Sequence, residues 1–129
     1  MQELILEITV ACQEAHTVKG HSRQVTMIPF TGQAEGPLFH GRILGGGVDT
    51  QIFDANGRGG LSARYMLEGV DAAGTPCRIF IQNQGNSREG FVPWVVTDSP
   101  LLASWETEPL SATVDGAPGG VTVRIYRKI

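Results

Sequence analysis

The chain has 129 residues and a mass of 13.8 kDa, with 41% hydrophobic and 18% charged side chains and a formal net charge of −3. That is enough chain for one buried core, and no apolar run approaches the roughly 18 residues of a membrane-spanning helix. Seventeen glycines and 7 prolines exclude an all-α fold, and 10 scattered basic side chains form no concentrated face for nucleic acid.

Leu4, Leu6, Ile8 and Val10 alternate with Ile5, Glu7 and Thr9, a period of two that predicts a half-buried strand. Strands are predicted next over 25–30, closed by Thr31-Gly32, then over 38–44 and 48–53, with three glycines at 45–47 between the last two. Asp54-Ala55-Asn56-Gly57 is a tight turn, since Asn-Gly tolerates positive φ. Segments 61–68 and 77–83 flank the turn residues 71–76 and read as a hairpin. The strand at 92–97 contains Pro93, which favours an edge or an irregular start. Over 101–105 a strand competes with a helical turn near 99–106, and strands follow at 110–114 and 120–126. Nine or ten short strands, no internal repeat and no linker predict a single all-β domain over 1–129, a closed barrel or a sandwich. The interior of a small barrel is either filled by side chains or holds one small ligand.

The opening Met1-Gln2-Glu3-Leu4-Ile5-Leu6-Glu7 lacks the basic region of a signal peptide. Cys12 and Cys77 read as free thiols of a cytoplasmic protein rather than a disulfide scaffold. Gly45-Gly46-Gly47 has no following Gly-Lys-Ser/Thr and no helix, and Gly57-Arg58-Gly59-Gly60 lacks the dinucleotide spacing. Both read as corners where backbone crowding excludes a Cβ. His16 and His21 lie in a predicted loop, and with His40 they form no dense metal-ligand cluster. No cofactor and no metal is expected, and no Gly-x-Ser-x-Gly elbow is present.

The residues that bear on function are polar positions within apolar strands. Asp49 and Gln51 share parity on one strand; Arg64 lies with Ser62, Met66 and Glu68, opposite Ala63, Tyr65 and Leu67; Asn83 ends the Ile79–Ile81 face. Either these face solvent or some of them line a pocket. If Asp49 and Arg64 meet inside, the carboxylate gains a partner that stays charged, and the pair is then structural or catalytic. Trp94 and Trp105, with Phe80 and Phe91, are either an aromatic wall for a ring-shaped ligand or simply core.

Gly36-Pro37-Leu38-Phe39-His40-Gly41-Arg42-Ile43-Leu44, continued by Gly46-Gly47-Val48-Asp49-Thr50-Gln51, resembles the first signature of an uncharacterised bacterial and fungal family. Leu61-Ser62-Ala63-Arg64-Tyr65-Met66-Leu67-Glu68 resembles its Ala-Arg-Tyr strand, and Ile81-Gln82-Asn83-Gln84-Gly85 its Asn-x-Gly strand end. Gly119-Gly120-Val121-Thr122-Val123-Arg124-Ile125-Tyr126 is similar to its last strand. The likeness runs from about Ile5 to Tyr126 and implies a small antiparallel β-barrel similar to allene oxide cyclase and dirigent-like barrels, which bind small hydrophobic or cyclic molecules. The family's recurrent polar residues fall on Asp49, Arg64 and Asn83. The chain departs from the family over 92–99, which is less aromatic than in many members.

These readings lead to an antiparallel barrel of about eight to ten strands, expected to form a homo-oligomer that covers one face. The expected function is small-molecule binding, with or without a cofactor-free isomerase, cyclase or lyase activity on a cyclic or carboxylated metabolite. Asp49 is expected as general acid/base and Arg64 as the oxyanion or carboxylate anchor, with Gln51, Asn83, Tyr65 and Trp94 as ligand-binding residues. A non-catalytic binding module and a filled, purely structural oligomeric barrel are the alternatives. No nucleic-acid or membrane partner is expected.

Overall fold

The computed structural model describes residues 1–129. Its strands are β1 (Gln2–Cys12), β2 (His16–Lys19), β3 (Arg23–Glu35), β4 (Phe39–Ile43), β5 (Gly47–Asp54), β6 (Gly59–Asp71), β7 (Pro76–Asn86), β8 (Gly90–Thr97), β9 (Leu110–Ala117) and β10 (Gly120–Lys128). One short 3-10 turn, Ala103–Glu106, lies between β8 and β9. Every pairing is antiparallel, and the order β1-β10-β9-β8-β7-β6-β4-β3 is closed by β1 pairing with β3. β4 and β5 pair in succession with both β3 and β6, so together they act as one stave. The result is an eight-staved closed barrel with β2 added along β3. No helix is long and apolar enough to cross a membrane.

Alternation decides which residues face inward. Ile8 and Val10 on β1, Tyr65 and Leu67 on β6, Ile79, Ile81 and Asn83 on β7 and Val123 and Ile125 on β10 are all buried. The β1 alternation breaks once: a register shift between Leu4 and Leu6 buries both Ile5 and Leu6 and turns Leu4 outward. A bulge adds one residue to the strand, so the face assignment flips across it.

Two local expectations change. Segment 101–105 is not a strand; Leu102 and Trp105 are buried around the 3-10 turn. Strand β2 lies in a segment read as a loop, because all four of its residues are exposed and leave no alternation to detect. Pro93 sits in β8 at little cost, since β8 bridges β9 only at Phe91–Ala112 and few donors are needed on that side. Gly46 turns β4 into β5 with φ +98° in open space, so the requirement there is conformation, not crowding. At Gly59 crowding does apply, since a Cβ would run into the Ile52 carbonyl oxygen.

The two ends of the barrel differ. One end is closed by Phe39, Leu102 and Trp105, all at most 2% exposed. The connection that carries Leu102 and Trp105 is tied to the strand ends. Ser99 Oγ donates to Asp71 Oδ2 at 2.7 Å, and Thr97 N donates to Glu106 Oε2 at 2.9 Å. The other end, where β1, β5 and β9 finish and β6 and β10 begin, carries no such plug.

Candidate functional site

The open end leads into a cavity of about 140 Å3, and ten of its thirteen lining residues are hydrophobic. Val10, Phe30, Val114, Val121 and Val123 supply much of the apolar wall; Asp49, Gln51, Tyr65 and Asn83 supply the polar groups. No arginine, lysine or histidine lines it. For scale, a cavity of about 150 Å3 admits benzene.

Strand register places the polar groups. Asp49 lies opposite Ala63, and Ala63 opposite Asn83, so the three share one row across β5, β6 and β7. Two strand spacings separate the outer pair, roughly 10 Å between backbones. Ala63 is the small residue between them and leaves that gap unfilled. Tyr65 is the next inward position on β6, and its ring meets Phe30 edge-on at 5.3 Å between centroids. Gln51, two residues along β5, donates from Nε2 to Asp49 Oδ2 at 2.9 Å.

What remains unpaired is informative. Asp49 Oδ1, the Tyr65 hydroxyl and Asn83 Oδ1 are buried without a hydrogen-bond partner, and all three residues line this cavity. Each such group costs on the order of 1–3 kcal/mol in the folded state. Burial pushes the Asp49 carboxyl above its ordinary value, while the Gln51 hydrogen bond pulls it partly back. Burial also raises the Tyr65 hydroxyl far above its ordinary value, so it stays a neutral donor at any ordinary pH. The site therefore offers a carboxylate of increased basicity, a neutral hydroxyl donor and an amide, in apolar surroundings.

Two of the residues expected at the site lie elsewhere. Arg64 is exposed on the outer face and its side chain makes no hydrogen bond or ion pair, so no Asp49–Arg64 pair exists. The reason is parity: Ala63 and Tyr65 point inward, so the residue between them points outward. Trp94 is 47% exposed on the outer face of β8 and packs on Phe80 at 5.5 Å between ring centroids. The aromatic-wall alternative fails for Trp105 as well, which lies in the plug at the closed end. Cys12 was not expected at the site but lines the cavity mouth. The signal was present, because Cys12 continues the Ile8 and Val10 parity of β1.

Fold and cavity together define the class: a small closed antiparallel barrel with one internal ring-sized cavity. The chain belongs to the family described as protein of unknown function (DUF3237), whose model matches residues 2–90. It is 40% identical over 60 residues to a UPF0311 protein of Clostridium acetobutylicum, a match covering 46% of this chain and 35% of the relative. The match thus spans about a third of that relative's length. Among solved structures, the fold is similar to a protein of unknown function from Clostridium acetobutylicum, with TM-score 0.83 and 23% identity over 98% of this chain and 95% of the other. It is also similar to a β-barrel-like protein from Acinetobacter baumannii, with TM-score 0.80 and 19% identity over 98% and 94% of the two chains. A third neighbour is an enzyme from Penicillium herquei, with TM-score 0.75 and 13% identity over 98% and 92%. At these identities the likeness is one of fold.

Proposed function

We propose that the barrel takes up one neutral, ring-sized organic molecule bearing an oxygen function, and that Asp49 moves a proton on it in a cofactor-free isomerisation, cyclisation or elimination. The observation that carries this reading is the convergence of three unpartnered buried polar atoms on one apolar cavity. A ligand hydroxyl that accepts from the Tyr65 hydroxyl and donates to Asp49 Oδ1 or Asn83 Oδ1 recovers part of the cost of leaving them unpaired. A carboxylated ligand fits poorly, because a buried carboxylate without a cation is strongly disfavoured and no cation lines the cavity.

The roles follow from the environments. Asp49, made more basic by burial, is the proton acceptor, and Gln51 holds its second oxygen in place. The Tyr65 hydroxyl donates to the ligand oxygen on which negative charge develops. Asn83 orients the ring from across the Ala63 gap. Arg64 has no part in the reaction.

Phenol and cyclohexanone serve as probes. Phenol is expected to raise the thermal midpoint of the wild type, since binding adds RT ln(1 + [L]/Kd), about 2.7 kcal/mol at a hundredfold excess over Kd. Tyr65→Phe, which deletes an unpartnered hydroxyl, is expected to weaken that shift without loss of stability. Cyclohexanone in deuterium oxide is expected to exchange its α-protons faster with wild type than with Asp49→Asn, as read by NMR. Binding of both probes without exchange selects a non-catalytic binding module. No binding at all contradicts the ligand site and leaves the barrel a structural one.

A further inference from the structure

We propose that Cys12 is a thiol gate of this cavity: a low-molecular-weight disulfide exchanges onto it, and the group delivered enters the mouth and closes the site. The inference rests on the cavity being a ligand site. Cys12 is the last residue of β1, one inward position beyond Val10, and is paired with Phe30. Its backbone N–H donates to the Gly119 carbonyl at 3.0 Å, so this point of the rim is fixed between β3 and the β9–β10 turn. The side chain is exposed and also lines the cavity. Deeper in the same cavity lie the unpartnered Tyr65 hydroxyl and Asn83 Oδ1, on residues 5% and 3% exposed. A group tethered at Cys12 thus has an apolar volume to enter and polar atoms to meet.

The other thiol does not compete. Cys77 is buried at the opposite end, where burial and the Asp71 and Asp98 carboxylates push its pKa up. In the exchange, Cys12 gives its proton to water and its thiolate attacks one sulfur of R–S–S–R. The Sγ–S bond forms, the S–S bond breaks, and R–S⁻ leaves and takes up a proton. The Cys12 sulfur is oxidised and the departing sulfur is reduced. Excess thiol reverses the step and reopens the cavity.

The test uses the full chain at exchange equilibrium with two reagents, 2-hydroxyethyl disulfide and 2-(4-hydroxyphenyl)ethyl disulfide, each with its own thiol, read by intact mass. The ring-bearing group is expected to be favoured at Cys12 by about tenfold, from the apolar area it buries. Cys12→Ser is expected to take up neither group. Ala63→Leu, or the milder Ala63→Val, fills the gap and is expected to bring the preference close to unity. Protein carrying the ring-bearing group is expected to lose its thermal shift with phenol. Equal uptake of the two reagents by wild type, or an undiminished phenol shift after modification, overturns the gate. If unmodified protein binds phenol while the preference is absent, the gate fails and the ligand site stands. If unmodified protein binds no phenol and shows no preference, both fail.

Discussion

The two ends of the barrel each hold an inward aspartate, and the two are treated in opposite ways. At the closed end, Asp71 accepts from Ser99 Oγ, and its other oxygen accepts from the backbone N–H groups of Ala73 and Thr75 at 2.9 and 3.0 Å. These bonds, Ser99's foremost, hold its carboxyl below its ordinary value. At the open end, Asp49 has one side-chain partner, an oxygen with none, and a pKa raised by burial. The same residue type is thus a fully satisfied acceptor at one end and an incompletely satisfied one at the other. Stability is invested in the plug and withheld at the cavity, the pattern expected where a site must meet something that is not part of the chain.

The largest effect should come from the plug itself. Trp105→Ala leaves a void at the closed end and is expected to cost about 3–5 kcal/mol in urea unfolding. A loss below about 1 kcal/mol would mean that Trp105 does not close the barrel. Next in size is Asp71→Asn, which weakens the tie to Ser99 and the hold on the β6–β7 turn. Because the native pKa of Asp71 is lowered, its contribution is present above the ordinary carboxylate range and lost as pH falls through the native value. The variant should be less stable than wild type at pH 7 and lose less on acidification.

Asp49→Asn should behave in the opposite sense. A native pKa above the ordinary value means that stability falls as pH rises from the ordinary value through the native one. The variant should lack that fall, be as stable as wild type or more so at pH 7, and lose cyclohexanone exchange. A destabilised Asp49→Asn at pH 7 would erase the distinction between the two ends. Smallest of all is Arg64→Ala, expected to change stability by less than about 0.5 kcal/mol and to leave the phenol shift intact.

The barrel was readable because period-two alternation survives in β6, β7 and β10, and turn residues mark the hairpins. Alternation also held the answer for Arg64, since neighbouring residues on a strand cannot both face inward, and Tyr65 has the apolar parity. The family's recurrent polar positions pointed the other way at Arg64, but to the cavity at Asp49 and Asn83. The plug was hard to read because a 3-10 turn has no period to detect and Leu102 and Trp105 suit a strand equally well. Strand β2 left no trace, because it is exposed along its whole length and is held only by its bonds to β3. The Ala63 gap depends on cross-strand register, which no single strand's sequence specifies.

The most direct test is a phenol titration followed by 15N NMR, using the two tryptophan indole signals and the Asn83 side-chain amide as reporters. Trp105 reports the plug, Trp94 the outer face of β8, and Asn83 the cavity. The account predicts that the Asn83 amide moves with phenol while both indole signals stay in place. Movement of the Trp94 or Trp105 indole with the Asn83 amide unmoved would contradict it.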